Sequence, residues 1–217
     1  MESAAVPTRD PTAGDSATRV AAAVERTAWT PADPGPLGLA GFAMTTFVLS
    51  MFNSQLVSAG GEPVVLGLAL AYGGIAQLLA GMWEFRTGNT FGAVAFSSFG
   101  AFWISYFVLV TFNVSEFPDP TTAGHAIGLY LWAWGIFTSY MFVASLRTTG
   151  AVALVFLLLA ITFILLGIGN SGAHEDIIKW GGYVGLATAA AAWYASFAAV
   201  TNSTFGRTVL PVIPLRR

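Results

Sequence analysis

Hydrophobic positions gather into six stretches, Leu37–Leu56, Val64–Glu84, Phe91–Phe112, Ala126–Leu146, Ala151–Gly169 and Ile178–Val200, and almost nothing charged falls inside them. Each is roughly 20 residues long, which a helix rising 1.5 Å per residue needs to cross hydrocarbon about 30 Å thick. Helices satisfy their own backbone polar groups in lipid; an open sheet does not. The alternation of a lipid-facing barrel strand is absent. The pattern predicts an all-α membrane protein, a bundle of six transmembrane helices. It divides the chain into a disordered N-terminal tail over 1–33, a six-helix membrane domain over 34–203 and a C-terminal tail over 204–217.

The polar connections order the bundle. Phe85–Thr90 and Arg147–Gly150 allow only tight hairpins, so successive helices are expected to be antiparallel neighbours. Asn113–His125 reads as the longest outer connection, kept non-helical by Pro118 and Pro120. Of the nine Lys and Arg residues, Arg9, Arg19, Arg26, Arg86, Arg147, Arg207, Arg216 and Arg217 fall on one side of the membrane. Only Lys179 falls on the other, among Glu62, Glu116, Asp119, Glu175 and Asp176. The positive-inside rule therefore puts both tails in the cytoplasm. The N-terminal tail has no apolar core for a signal peptide, and a short chain without an organellar signal fits a prokaryotic inner or plasma membrane.

Composition narrows the chemistry. Charged residues make up 9% of the chain, against about 25% in a soluble domain. With no cysteine, disulfides, thiolate catalysis and cysteine metal sites are excluded. His125 and His174 lie near helix ends without an i,i+4 partner, so no metal and no cofactor is expected. The buried charges of an intramembrane protease are missing. The chain reads as a non-enzyme with lipid around it and no nucleic-acid partner.

What the helices do hold is neutral and polar: Thr45, Thr46 and Asn53 in the first, Gln77 in the second, Ser97 and Ser98 in the third, Thr162 and Asn170 in the fifth. Phe42, Thr46, Leu49 and Asn53 form one helical stripe, and Gly73, Gln77, Ala80 and Glu84 another. Hydroxyls and amides without fixed charge suit the passage of a small polar or anionic solute; singly, each serves equally to bond two helices. Trp83, Trp132, Trp180 and Trp193 sit toward segment ends as interfacial anchors, whereas Trp103 lies mid-helix. Glu84, near Arg86, reads either as a snorkelling ion pair or as a pore-mouth site. Gly67, Gly74 and Gly81 recur every seven residues with Ala71 on the same face, as do Gly128 and Gly135, and Gly181 and Gly185 precede Ala189 and Ala192. Such stripes pack helices within or between protomers. Gly67-Leu68 through Gln77 resembles Gly128-Leu129 through Thr138, and the odd helices end at Asn53, Asn113 and Asn170, a pattern of three duplicated hairpins.

Asp33-Pro34-Gly35-Pro36-Leu37-Gly38-Leu39 followed by Gly41-Phe42-x-Met44-Thr45-Thr46 resembles the signature of the acetate uptake transporter family, the succinate–acetate permeases. Tyr72-Gly73-Gly74-Ile75-Ala76-Gln77, Glu84 with Gly88-Asn89-Thr90-Phe91-Gly92, Gly100-x-Phe102-Trp103, Gly169-Asn170 and Phe205 through Pro211 follow in family order. The resemblance implies a protomer with its own pore, a homo-hexamer, and passage of acetate and related small carboxylates, including succinate in some members, as a channel or with protons. It implies an apolar constriction at Phe42, Phe99 and Leu159. Thr45, Thr46, Asn53, Gln77, Trp103 and Asn170 are the expected pore residues, with Asp33, Pro34, Pro36, Gly38 and Glu84 at the entrance. Two positions depart from the family pattern: Asp33 stands for its usual Asn and Phe99 for its usual Tyr. A channel for another small solute such as urea, and a membrane scaffold without flux, are the competing readings.

Overall fold

The computed structural model describes Trp29 and residues 31–215. The readings placed on the N-terminal tail through Ala28, and on Arg216 and Arg217, lie outside the described residues. Six helices long and apolar enough to cross a membrane follow in order: α1 Gly35–Asn53, α2 Val64–Thr87, α3 Thr90–Glu116, α4 Pro120–Ser145, α5 Gly150–Ser171 and α6 Glu175–Phe205. Each contains the bulk of one hydrophobic stretch, so the all-α membrane architecture stands.

Helix ends are set by local chemistry. Gly88 closes α2 in a left-handed conformation at φ 77°, which costs glycine nothing. Asn89 then opens α3, its Oδ1 accepting from the Gly92 amide at 3.1 Å. Thr149 caps α5 by accepting from the Val152 amide at 3.2 Å. Asp119 caps α4 through the Thr122 amide and hydroxyl, bonds that hold its carboxyl below the usual carboxylate range.

Two expectations about connections need correction. The Asn113–His125 segment is mostly helical. α3 winds on through a π turn over Leu109–Asn113 and a 3-10 turn over Val114–Glu116, leaving only 117–119 as the link. Pro120 occupies the first position of α4, where a missing N–H is harmless and φ is already helical. The longest connection among the described residues is instead 54–63, between α1 and α2. The antiparallel-neighbour rule also fails once. α1 packs closely along α6, α6 on α5, α5 on α4, and α2 on α1 and α3, but α3 and α4 barely approach each other.

Side-chain size explains the difference. Where helices meet closely, glycine faces the neighbouring helix: Gly128 abuts Ser171, Gly81 abuts Ser97 and Gly185 abuts Ser50. Between α3 and α4 stand rings instead, Phe102 lying 5.8 Å from Tyr130 and 5.1 Å from Trp134. Ser105 Oγ and the Tyr130 hydroxyl hydrogen-bond at 2.7 Å across the same gap. The seven-residue glycine stripe of α2 does not hold as one face. A π turn over Ala71–Ala76 shifts the register, so Gly81 packs on α3 while Gly67 meets open space.

Candidate functional site

Two cavities enter the bundle from opposite ends. The first, about 300 Å³, lies at the end where α1, α3 and α5 finish; its walls include Thr46, Ser50 and Asn53 of α1, Trp103 and Tyr106 of α3, Tyr130 of α4, Thr162 and Asn170 of α5, and Glu62. The second, about 640 Å³, lies at the other end, between Asp33, Pro36, Glu84, Asn89, Phe91, Thr148, Phe156, Asn202 and Pro214. Neither wall contains Lys, Arg or His among the described residues.

Between the cavities the core is apolar. Phe42 and Leu159 border the first, and Phe42, Phe99 and Leu159 are each at least 96% buried. The Phe42 and Phe99 rings lie 5.8 Å apart. Phe99 is also packed by Phe137 at 5.4 Å, Trp134 at 5.9 Å, Phe156 at 6.0 Å and Phe163 at 6.4 Å.

The expected pore residues divide. Thr46, Asn53, Trp103 and Asn170 line the first cavity. Thr46 Oγ1 and Trp103 Nε1 are buried without a hydrogen-bond partner, and Asn170 Nδ2 donates to the Leu166 carbonyl at 2.8 Å. Thr45 does not line the cavity: its hydroxyl donates to the Gly41 carbonyl at 2.9 Å and it packs against Gly73 of α2. Adjacent helical positions point about 100° apart, so the two threonines face different neighbours. Gln77 is 1% exposed, lines neither cavity, and has its Oε1 unpartnered. Asn113 also stands apart from Asn53 and Asn170, because the π turn places it in a groove between α3 and α4.

The entrance motif is a set of joints. Pro34 is buried, and its carbonyl accepts from the Leu37 and Gly38 amides at 3.1 and 3.2 Å, starting α1. The Pro36 carbonyl accepts from Ser196 Oγ at 2.7 Å, tying α1 to α6, while Gly38 leaves room for the Phe96 ring. Asp33 accepts from the Gly35 amide at 2.9 Å at the cavity mouth. Glu84 turns inward rather than snorkelling. It is 2% exposed, and its Oε2 accepts from Thr87 Oγ1 at 2.9 Å and Asn89 Nδ2 at 3.0 Å. Burial at a polar crossing offsets part of the desolvation cost with these two donors.

Three features were missed from the sequence. Glu62 and Tyr106 form a bonded pair at the mouth of the first cavity, with the phenol donating to Oε1 at 3.0 Å. Asn202 clamps the segment after α6, its Oδ1 accepting from the Val209 and Leu210 amides at 2.7 and 2.9 Å and its Nδ2 donating to the Leu210 carbonyl at 2.8 Å. The clamped strand then accepts from the first amides of α5, Gly150 N to the Ile213 carbonyl at 2.7 Å and Ala151 N to the Val212 carbonyl at 3.3 Å, forming one wall of the second cavity. An asparagine four residues before Gly206 at a helix end was the only available signal for that clamp.

Residues 16–217 match the sequence profile of the GPR1/FUN34/yaaH family. The chain belongs to this family. Among its relatives is acetate permease A of Emericella nidulans, 43% identical over 83% of this chain and 65% of that protein. Another is the succinate-acetate/proton symporter SatP of Escherichia coli (strain K12), 40% identical over 83% of this chain and 95% of that protein. The chain therefore spans nearly the whole bacterial relative but just under two thirds of the fungal one. The fold matches that of the bacterial acetate channel SatP with a TM-score of 0.78 at 39% identity, covering 84% of this chain and 99% of that one. The six-helix membrane arrangement is thus shared with that channel.

Proposed function

We propose that this protein moves acetate and related small carboxylates across a membrane, each protomer passing them between the two cavities through an apolar constriction of Phe42, Phe99 and Leu159. The observation that carries the reading is the pairing of two opposed cavities with unpartnered donors, Thr46 Oγ1 and Trp103 Nε1, in the wall next to that ring. Such donors replace part of a carboxylate's hydration without the deep trap that a Lys or Arg would make. The names of its relatives support the substrate class.

Radiolabelled acetate uptake into liposomes tests the proposal. A scaffold gives no uptake, and a urea channel ignores acetate. Thr46→Val removes one donor at nearly constant volume, and a hydrogen bond to a charged group contributes about 1.5–3 kcal/mol. Apparent affinity for acetate should weaken about tenfold or more. Unchanged saturation kinetics would return Thr46 to helix packing.

The charge asymmetry supports an inner or plasma membrane orientation with the tails cytoplasmic, so that the first cavity opens outward. A membrane-impermeant thiol reagent applied to whole cells should label Thr121→Cys and spare Thr208→Cys, both positions being exposed. The opposite labelling pattern would invert the topology. A homo-hexamer is supported by the exposed stripe Gly67, Ala71, Ile75 and Leu79 on α2, a face that small residues make suitable for helix contact between protomers.

A further inference from the structure

We infer that Glu62, held by Tyr106 at the outer mouth, is a charge filter that slows carboxylate dianions more than monoanions. The inference rests on the transport reading above. Glu62 is the only Asp, Glu, His, Lys or Arg in the wall of the outer cavity among the described residues. Its position is built: it precedes Pro63, which starts α2, and its Oε1 receives the Tyr106 hydroxyl at 3.0 Å. Tyr106 stands one helical turn from Trp103, and their rings meet edge to face at 5.8 Å. A column from Glu62 through Tyr106 to Trp103 therefore runs from the mouth toward the unpartnered indole N–H.

The electrostatics follow from what surrounds the carboxylate. The phenol supplies a hydrogen bond but no positive charge, so the ionised pair keeps one full negative charge beside the path. The titratable groups in the same wall are Tyr106 of α3 and Tyr130 of α4; the walls from α1 and α5 contribute none. The small pocket behind Glu62, which includes Pro63 and Leu66 of α2, contains no further charged group.

A carboxylate entering this mouth meets like-charge repulsion, and its energy scales with the charge of the solute. One charge at the mouth, partly screened by water and salt, corresponds to about a fivefold slowing of a monoanion. A dianion feels twice the energy, so its slowing is about the square of that, roughly 25-fold. A plain structural alternative is that the Glu62–Tyr106 bond only latches the 54–63 connection to α3.

Glu62→Gln separates these roles, because its amide oxygen still accepts from Tyr106 while the charge is gone. Acetate and succinate influx into liposomes would be measured for the wild type, Glu62→Gln and Glu62→Asp near neutral pH, where both substrates are ionised, at low and at high salt. At low salt Glu62→Gln should exceed the wild type about fivefold for acetate and about 25-fold for succinate. The excess should shrink with added salt and be absent in Glu62→Asp, which keeps the charge. An excess that is equal for both substrates, or insensitive to salt, or missing, overturns the filter and leaves the latch. A wild type that carries neither carboxylate overturns the transport reading itself.

Discussion

Leu159→Ala is expected to raise acetate flux about tenfold and to admit longer carboxylates such as butyrate. Leu159 borders the first cavity and belongs to the same buried cluster as Phe42 and Phe99. A carboxylate crossing that cluster sheds water where no donor replaces it, so the barrier reflects the width and hydration of the ring. Trimming Leu159 extends the cavity downward and lets water accompany the ion. A barrier lowered by about 1.4 kcal/mol is a tenfold gain in rate. Leu159 is a better probe than Phe99, which is packed against Phe42, Trp134, Phe137, Phe156 and Phe163. Phe99→Ala would remove a core ring at a cost of about 3–5 kcal/mol and confuse flux with folding. Liposome uptake of acetate, butyrate and succinate at equal protein density is the measurement. Wild-type rates and ranking from a folded Leu159→Ala variant would place the barrier elsewhere.

The spans were legible because hydrocarbon thickness dictates their length, and apolar runs of that length have few other uses. Their ends were less so, since a cap or a π turn depends on single residues. Pro120 reads as a helix breaker in a loop and as a helix starter at a first position; only the fold distinguishes the two. Of the candidate site, the stripe of Phe42, Thr46 and Asn53 followed from simple helical spacing. Thr45 and Gln77 were carried with it because both are polar and near the middle of a span, yet Thr45 faces α2 and Gln77 lines neither cavity. Phe99 and Leu159 joined the stripe only through the family resemblance, as no spacing links three helices. The Glu62–Tyr106 pair was out of reach in another way. It joins a connection to a helix across 44 positions, a distance at which sequence pattern is silent.

Gly182→Ala is expected to destabilise the bundle sharply, although the added group is one methyl. A β-carbon at Gly182 would overlap the Ser54 amide nitrogen and lie 2.6 Å from the Asn53 carbonyl carbon and 2.7 Å from the Ser54 α-carbon. These are backbone atoms at the end of α1 and cannot rotate away, so α6 must move off α1. The sequence pointed to Gly181 and Gly185 on this helix; Gly181 meets the Leu166 side chain, which can yield, whereas Gly182 meets main chain. Overpacking of this kind costs about 1–3 kcal/mol even where side chains can adjust, so the upper end is the expected minimum here. For a chain of this length about 3 kcal/mol corresponds to a fall in melting temperature of roughly 6 °C or more. Gly60→Ala, in the connection between α1 and α2, is the matched control, since a β-carbon there meets nothing within 4 Å. Thermal unfolding of both variants in detergent, read alongside size-exclusion profiles, makes the comparison. Equal melting temperatures for Gly182→Ala and Gly60→Ala would show that α1 and α6 tolerate separation and that their contact does not fix the pore wall.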